Sequence, residues 1–204
     1  MMLSRRSSLL LGAAGAVLAG FVRARAEGQP VDTAEATGFV KKLGEDMVSV
    51  VNGPGSPPEK QAKMAPLIEQ HVDVDGIARF CLGRFWRAAT QQQQQDYVHA
   101  FHRVLLDSIG SRLGDFQGVS FAMGQTVQRE GATLVGTVIS RPNQEPAHVQ
   151  WVVDQVDGQP KVVDVVAEGT SLRLTQRSDY ASYLSRNGGN VQALIAAMRR
   201  QTGA

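Results

Sequence analysis

Apolar side chains in the first half of the chain recur at steps of three and four residues, the period of an amphipathic helix. Residues 39–51 show this spacing after the start signal Asp32-x-x-Glu35. Residues 56–59 (Ser-Pro-Pro-Glu) form a capping box before the next stripe, and Asp73 can cap a third helix that ends near Gly83. The pattern therefore predicts three successive helices.

The most regular stripe follows Thr90, where Gln93 occupies the reciprocal capping position. The glutamine run at 91–95 then forms the solvated first turns of this helix. Its apolar face is Tyr97, Phe101, Leu105, Ile109 and Leu113, joined by Val104 and Phe116. A stripe of this kind indicates packing against a core.

Beyond Gly118 the apolar period changes to two, which is typical of strands. It predicts four strands, at residues 119–129, 132–141, 146–156 and 161–168. The short turns between them produce an antiparallel meander. The later strands are apolar on both faces, so both faces must be covered. Helices can cover one face, and the other needs more helices, a partner or an apolar ligand.

Two helices close the chain, at residues 175–186 and after Asn190, and Asn187-Gly188-Gly189 separates them. No internal repeat occurs, and no linker is long enough to separate two domains. The order of elements predicts one α+β domain.

Residues 1–26 have the composition of an export signal. They contain four arginines and no acid, and the 14-residue apolar run that starts at Leu9 is shorter than the ~20 residues a membrane span needs. Ala24-Arg25-Ala26 provides the small residues of a cleavage site. Arg5-Arg6 also resembles a twin-arginine signal, so both export routes stay open. We expect a signal peptide at residues 1–26 and a soluble periplasmic domain at residues 27–204.

Removal of this signal changes the sign of the net charge. The whole chain has 21 basic and 19 acidic side chains, a formal charge of +2. Residues 27–204 keep 17 of the basic side chains and all 19 acids, so their formal charge is −2. A basic field that would attract nucleic acid is absent, and we expect no nucleic-acid partner.

The sequence contains no nucleotide-binding loop and no nucleophile-elbow motif. His99 and His102 lie one helical turn apart, but both fall off the apolar stripe, which favours a solvated face over a metal site. Cys81, the single cysteine, excludes an intramolecular disulfide and is expected to be a buried small hydrophobe.

Two carboxylates in the strand region are the remaining candidates for chemistry. Asp154 and Asp164 could form a carboxylate pair on one sheet face, as in cone-shaped α+β isomerases. The second interpretation is hydrogen bonding at the rim, or an ion pair with Lys161 or Arg173.

Five local strings, in order along the chain, resemble the MlaC / toluene-tolerance family. The first is the LG-x-x-W-R helix, and the most recognisable is a strand ending in D-x-x-x-E-G-x-S. The strings are residues 75–88, 95–101, 163–172, 175–180 and 188–195, so the resemblance covers about residues 32–200.

The resemblance implies a periplasmic phospholipid carrier that is not an enzyme and has no cofactor beyond its lipid cargo. Its implied partners are phospholipid, an inner-membrane ABC transporter with an MCE subunit, and an outer-membrane lipoprotein–porin complex. The implied fold is an antiparallel or mixed sheet of four or five strands, wrapped by helices around an apolar ligand cavity. The C-terminal strings also resemble HpnM-like relatives, associated with hopanoids. The residues also leave open a small-molecule enzyme and a structural or partner-binding domain.

We expect the acyl-chain cavity to lie between the sheet and the helices. A one-residue error in register would exchange the two faces of each strand. The candidate lipid-binding residues are Phe80, Phe101, Leu105, Ile139, Val149, Trp151, Val163 and Val165, with Thr170 near the mouth.

Overall fold

The computed structural model describes residues 30–203, and the predicted signal peptide lies outside this range. The α+β class is confirmed. The helices are α1 Thr33–Asn52, α2 Pro57–His71, α3 Val74–Leu82, α4 Phe85–Ala88, α5 Gln91–Gly110, α6 Leu172–Arg186 and α7 Val191–Gln201, with a 3-10 turn at Leu113–Phe116. The strands are β1 Ser120–Arg129, β2 Ala132–Ser140, β3 Ala147–Val156, β4 Gln159–Ala167 and β5 Thr170–Ser171.

The predicted capping residues begin their helices. The Asp32 carboxylate accepts from the backbone N–H of Ala34 at 2.8 Å. At α5 the capping box is reciprocal, with Gln93 N to Thr90 Oγ1 at 3.2 Å and Thr90 N to Gln93 Oε1 at 3.0 Å. Asn190 caps α7 through the N–H of Ala193. These bonds join residues two or three apart, so the sequence alone specifies them.

The strand boundaries lie within two residues of the prediction, and the larger differences are at two helix boundaries. Helix α5 ends at Gly110, so the last residues of its apolar stripe lie in the 3-10 turn. Helix α6 begins at Leu172 instead of residue 175, because Ser171 is its N-cap and accepts from Leu174 N at 3.1 Å.

The five strands form one antiparallel sheet in the order β1-β2-β3-β4-β5. The register shifts between Met123 and Thr126 in the β1–β2 pair, and at Val152 and Val153 in the β3–β4 pair. The turn between α2 and α3 touches the outer side of β4 through an isolated parallel bridge, in which Asp73 N donates to Val162 O at 3.0 Å.

Helix α1 covers one face of the sheet, here called the helix face. Its buried residues Ala36 and Val40 pack with Val135 of β2 and Val153 of β3. Thr37 Oγ1 also lies 2.7 Å from Thr126 Oγ1 of β1. Since side chains alternate along a strand, the helix face of β2 is Thr133, Val135, Thr137 and Ile139.

A second and larger core joins α2, α3, α5, α6 and α7. Tyr97 is fully buried in it and donates its hydroxyl to Ala78 O at 2.9 Å. Its ring lies 6.1 Å from that of Phe101 and 6.2 Å from that of Tyr180. Burial raises the pKa of both tyrosines well above the ordinary value, so these hydroxyls stay protonated.

Across residues 30–203, none of the helices is both long and apolar enough to cross a bilayer.

Two glycines of α1 provide a matched test of how closely this helix lies on the sheet. A Cβ at Gly44 would meet the Phe121 ring at 2.7 Å, whereas a Cβ at Gly38 would meet nothing within 4 Å. We expect Gly38→Ala to raise the free energy of unfolding by about 0.5–1 kcal/mol through helix propensity. Gly44→Ala should lower it, because the overpacking against Phe121 costs roughly 1–3 kcal/mol, more than that gain. Urea unfolding of both variants measures the difference, and equal stabilisation would contradict the packing of α1 on β1.

Candidate functional site

Four of the sequence-predicted site residues come together on the helix face. Trp151 pairs with Val135 of β2 on one side and with Val165 of β4 on the other. Val149 pairs with Thr137 two residues away, and Ile139 is the next helix-face position of β2. The period-two pattern therefore placed Ile139, Val149, Trp151 and Val165 on one surface.

The polar side-chain atoms on this surface bond to protein atoms of the sheet, so the surface presents mainly carbon. The Trp151 indole N–H donates to Thr137 Oγ1 at 3.0 Å, and this hydroxyl donates to Val149 O at 3.2 Å. Thr137 is 3% exposed. Sequence reasoning missed Thr137, although a threonine inside an alternating apolar strand was the available signal. The relay fixes the Trp151 ring and leaves no free donor on this part of the sheet.

Helix α5 contributes two further predicted site residues, Phe101 and Leu105, and only the first is buried. Tyr97 and Phe101 are buried, but Leu105 and Ile109 of the same stripe are only half-buried. A stripe that faces a filled core is normally buried along its whole length. The C-terminal half of α5 therefore has apolar surface that other protein atoms leave uncovered.

Half-buried apolar side chains also occur on the elements around this part of α5. Leu67 of α2 and Met47 of α1 have intermediate exposure and pack against the larger core, as does Ile139 of β2. On β3 and β4, Val149 and Val165 are half-buried too. The apolar surface left partly exposed thus includes the part of the helix face around Val149, Trp151 and Val165, and half-buried residues of α1, α2 and α5.

The other predicted site residues occupy different places. Phe80 packs on the larger core, and its ring centroid lies 4.6 Å from Arg173 Cζ and 4.8 Å from Arg177 Cζ. Thr170 is exposed in β5, opposite Ala167. Val163 lies at the register shift, where Val162 takes the position opposite Val153.

The Asp164 carboxylate is held by several donors at the start of α6. Its Oδ1 accepts from the backbone N–H of Arg173 at 3.1 Å, and its Oδ2 from the Ser171 hydroxyl at 2.5 Å. Arg173 Nε lies 3.4 Å from Oδ2. The carboxylate side chain is only 5% exposed. These contacts agree with the ion-pair and hydrogen-bond interpretation of Asp164, because its oxygens are already engaged.

Asp154 has a separate environment from Asp164. It pairs across the sheet with Lys161, and its Oδ1 accepts from Gln155 N at 2.8 Å.

Cys81 is 1% exposed and donates its thiol to Arg173 O at 3.5 Å. Burial raises the pKa of this thiol to about 12, so it behaves as a small hydrophobe at neutral pH.

The histidines of α5 do not form a metal site with other groups. His102 Nε2 bonds to Asp75 Oδ1 at 2.7 Å, and His99 is exposed. Among residues 30–203 no three histidine, cysteine, aspartate or glutamate side chains are grouped so that they could hold a metal ion.

Comparison with known proteins identifies the family. Residues 41–200 match the family model described as MlaC protein. The chain belongs to the MlaC family. A curated relative, the toluene tolerance protein ttg2D of Pseudomonas putida, is 27% identical over 126 residues, which are 61% of this chain. The match covers 59% of that relative's length.

A solved structure shows the same fold as this MlaC family member. It is a phospholipid-binding protein from Ralstonia solanacearum, in complex with a phospholipid. The two superpose with a TM-score of 0.70 over 83% of this chain and 97% of the other, at 22% sequence identity. At this identity the likeness establishes the fold.

Proposed function

We propose that this MlaC family protein is a periplasmic carrier of phospholipid. The observation that carries the proposal is the uncovered apolar surface of the helix face and α5, represented by Trp151, Val165 and Leu105. Acyl chains lying between these elements would complete the burial of side chains that are now half-buried. The head group would remain in water at the edge of the sheet, near Thr170.

The energetics of transfer support a protein carrier. A diacyl lipid has roughly 30 chain methylenes, and at about 0.8 kcal/mol each their exposure to water costs on the order of 20 kcal/mol. Free diffusion of lipid through an aqueous compartment is therefore negligible. A carrier has to replace the bilayer with an apolar site, and it needs neither a nucleophile nor a metal ion for this task. We propose accordingly that the protein is not an enzyme and has no cofactor besides its cargo.

Family membership and the N-terminal sequence support the finer parts of the proposal. Residues 1–26 have the composition of an export signal, which supports a periplasmic location for residues 27–204. The partners we propose are an inner-membrane ABC transporter with an MCE subunit and an outer-membrane lipoprotein–porin complex, between which lipid is moved. The net negative charge of residues 27–204 supports the absence of a nucleic-acid partner.

Native mass spectrometry of protein purified from its source tests this function. We expect the protein to carry one additional mass that fragments to a phospholipid. Because exposure of the acyl chains to water is so costly, the apolar site should hold its cargo through purification. A hopanoid mass would instead assign the HpnM-like function. Protein that is folded but free of lipid after mild purification would contradict carriage altogether.

A further inference from the structure

Five arginines lie close together around the turn between α3 and α4 and on the first two turns of α6. We call them the arginine patch: Arg79, Arg84, Arg87, Arg173 and Arg177. The two segments meet at Gly83, where a Cβ would lie 3.2 Å from Arg177 Nε. They meet again at Phe80, which both α6 arginines approach within 5 Å of its ring centroid.

Among the described residues, most guanidinium groups of the arginine patch have no carboxylate partner. Acidic residues border the two segments that form the patch, at Asp75, Asp96, Glu168 and Asp179, and none occurs within residues 76–95 or 169–178. Of the ion pairs within residues 30–203, one involves the patch, between Arg173 and Asp164. The other four guanidinium groups have no carboxylate within 4 Å in the described chain. The patch is thus a local positive surface on a chain whose residues 27–204 are net negative.

Aromatic rings hold four of these guanidinium groups. In addition to the pair at Phe80, Arg84 lies 4.9 Å above the Phe85 ring and Arg79 lies 5.3 Å above the Trp86 ring. A guanidinium attracted to the face of an aromatic ring is restrained by this contact, and its five N–H donors still allow it to bind an anion. Such a group has also lost part of its rotamer freedom before any ligand binds, which lowers the entropic cost of binding.

Exposed leucines accompany the patch. Leu172 is 52% exposed and Leu174 is 56% exposed, and they flank Arg173 in sequence. Large apolar side chains are otherwise seldom this exposed in residues 30–203, where Val127 of β1 at 42% is the next. Exposed leucines at the start of α6, on either side of Arg173, therefore place apolar surface next to the arginine patch.

We propose that the arginine patch, together with Leu172 and Leu174, is a docking surface for an acidic surface on a protein partner. The planar donors of arginine match the two oxygens of a carboxylate. Protein interfaces are enriched in arginine and aromatic residues and depleted in lysine. Residues 76–95 and 169–178 contain three aromatic residues and no lysine. This composition favours a protein partner over an anionic bilayer, whose attraction is equal for lysine and arginine.

The docking surface rests on the proposed function, in which the carrier exchanges lipid with protein complexes, and it assigns that contact to a particular surface. It leaves Val165, Trp151 and the rest of the uncovered apolar surface free for cargo. Variants of the α3–α4 arginines therefore separate docking from lipid binding. Arg79, Arg84 and Arg87 serve this purpose best, because neither Phe80 nor Asp164 depends on them.

The test uses the full chain, carrying Arg79→Glu, Arg84→Glu and Arg87→Glu together. Its binding to the purified ABC transporter with MCE subunit, and to the purified outer-membrane lipoprotein–porin complex, is measured by biolayer interferometry at low and high salt. We expect at least a tenfold loss of affinity for one of these complexes, with the co-purified phospholipid unchanged. Wild-type binding to that complex should weaken as salt rises.

A matched triple variant, Arg103→Glu, Arg112→Glu and Arg129→Glu, changes the net charge equally on other surfaces and should bind as wild type does. The docking proposal is overturned if the patch variant keeps its affinity for both complexes, or if the control weakens binding as much. It is also overturned if the wild type binds neither complex but binds vesicles of phosphatidylcholine and phosphatidylglycerol. Should the glutamate variant melt early, the corresponding glutamine variant is measured instead. A wild type that docks but never carries lipid would refute the proposed function and leave the docking surface intact.

Discussion

Val165→Glu is expected to give a folded protein that no longer retains phospholipid. Val165 is half-buried on the helix face, opposite Trp151, where the proposed acyl chains lie. A carboxylate there must either displace the chains or be buried beside them, at a cost of at least several kcal/mol. Because each 1.4 kcal/mol is a factor of ten, the lipid content should fall by at least about tenfold.

The measurement compares co-purified lipid per protein at pH 7.5, where the new carboxyl group is ionised unless it is buried. Val127→Glu is the control, since Val127 is 42% exposed and pairs with Leu134, outside the helix face. It should retain lipid at the level of the wild type. Thermal melting shows whether each variant is folded, and Val165→Thr provides a milder change at the same position. A folded Val165→Glu protein with normal lipid would refute the place of Val165 in the site.

Asp164→Ala is expected to lower the free energy of unfolding by about 3–5 kcal/mol, because it leaves a buried network without its acceptor. The Ser171 hydroxyl, the Arg173 backbone N–H and the Arg173 guanidinium all lose the same carboxylate. The turn that connects β4 to α6 should therefore loosen first. Chemical denaturation followed by circular dichroism measures this loss.

Two further variants separate the charge from the hydrogen bonds. Asp164→Asn keeps one acceptor oxygen but presents an N–H₂ donor to the remaining groups, so its loss of stability should be smaller than that of alanine but clear. Asp107→Ala removes an exposed carboxylate of α5 and should change stability by no more than about 0.5 kcal/mol. If Asp164→Ala unfolds like Asp107→Ala, the network contributes little to stability.

Helix starts were predictable because the bonds that define them are local. Asp32, Thr90 and Asn190 each bond to a backbone N–H within three residues. The start of α6 was misplaced by three residues for the opposite reason. Ser171 is its N-cap, but the same hydroxyl also donates to Asp164 in the preceding strand. Because the position of Ser171 depends on a hydrogen bond to β4, the apolar spacing within α6 does not reveal where the helix begins.

The candidate site was predictable to the extent that strands alternate regularly. Val149, Trp151 and Ile139 share one face because no register shift separates β2 from β3. On β4 the alternation fails at the shift near Val152 and Val153, where Val162 is 1% exposed and pairs with Val153. A bulge inserts one residue without changing the apolar pattern, so Val163 was selected as if the strand were regular. Its place in the lipid site stays a prediction.

The interrupted pairing at the outer strands bears on how this sheet behaves at high concentration. An open strand edge is a template on which another chain can add a strand, which leads to aggregation. The pairing of β1 is broken between Met123 and Thr126, and the strand ends in Arg129. The free side of β4 is occupied at one end by Val72 and at the other by β5. In residues 30–203 the edge at β1 is therefore bent by a bulge, and the side of β4 is partly covered by Val72 and by the two-residue outer strand β5. The sheet can thus keep an apolar surface for its ligand while it offers little regular backbone to further copies.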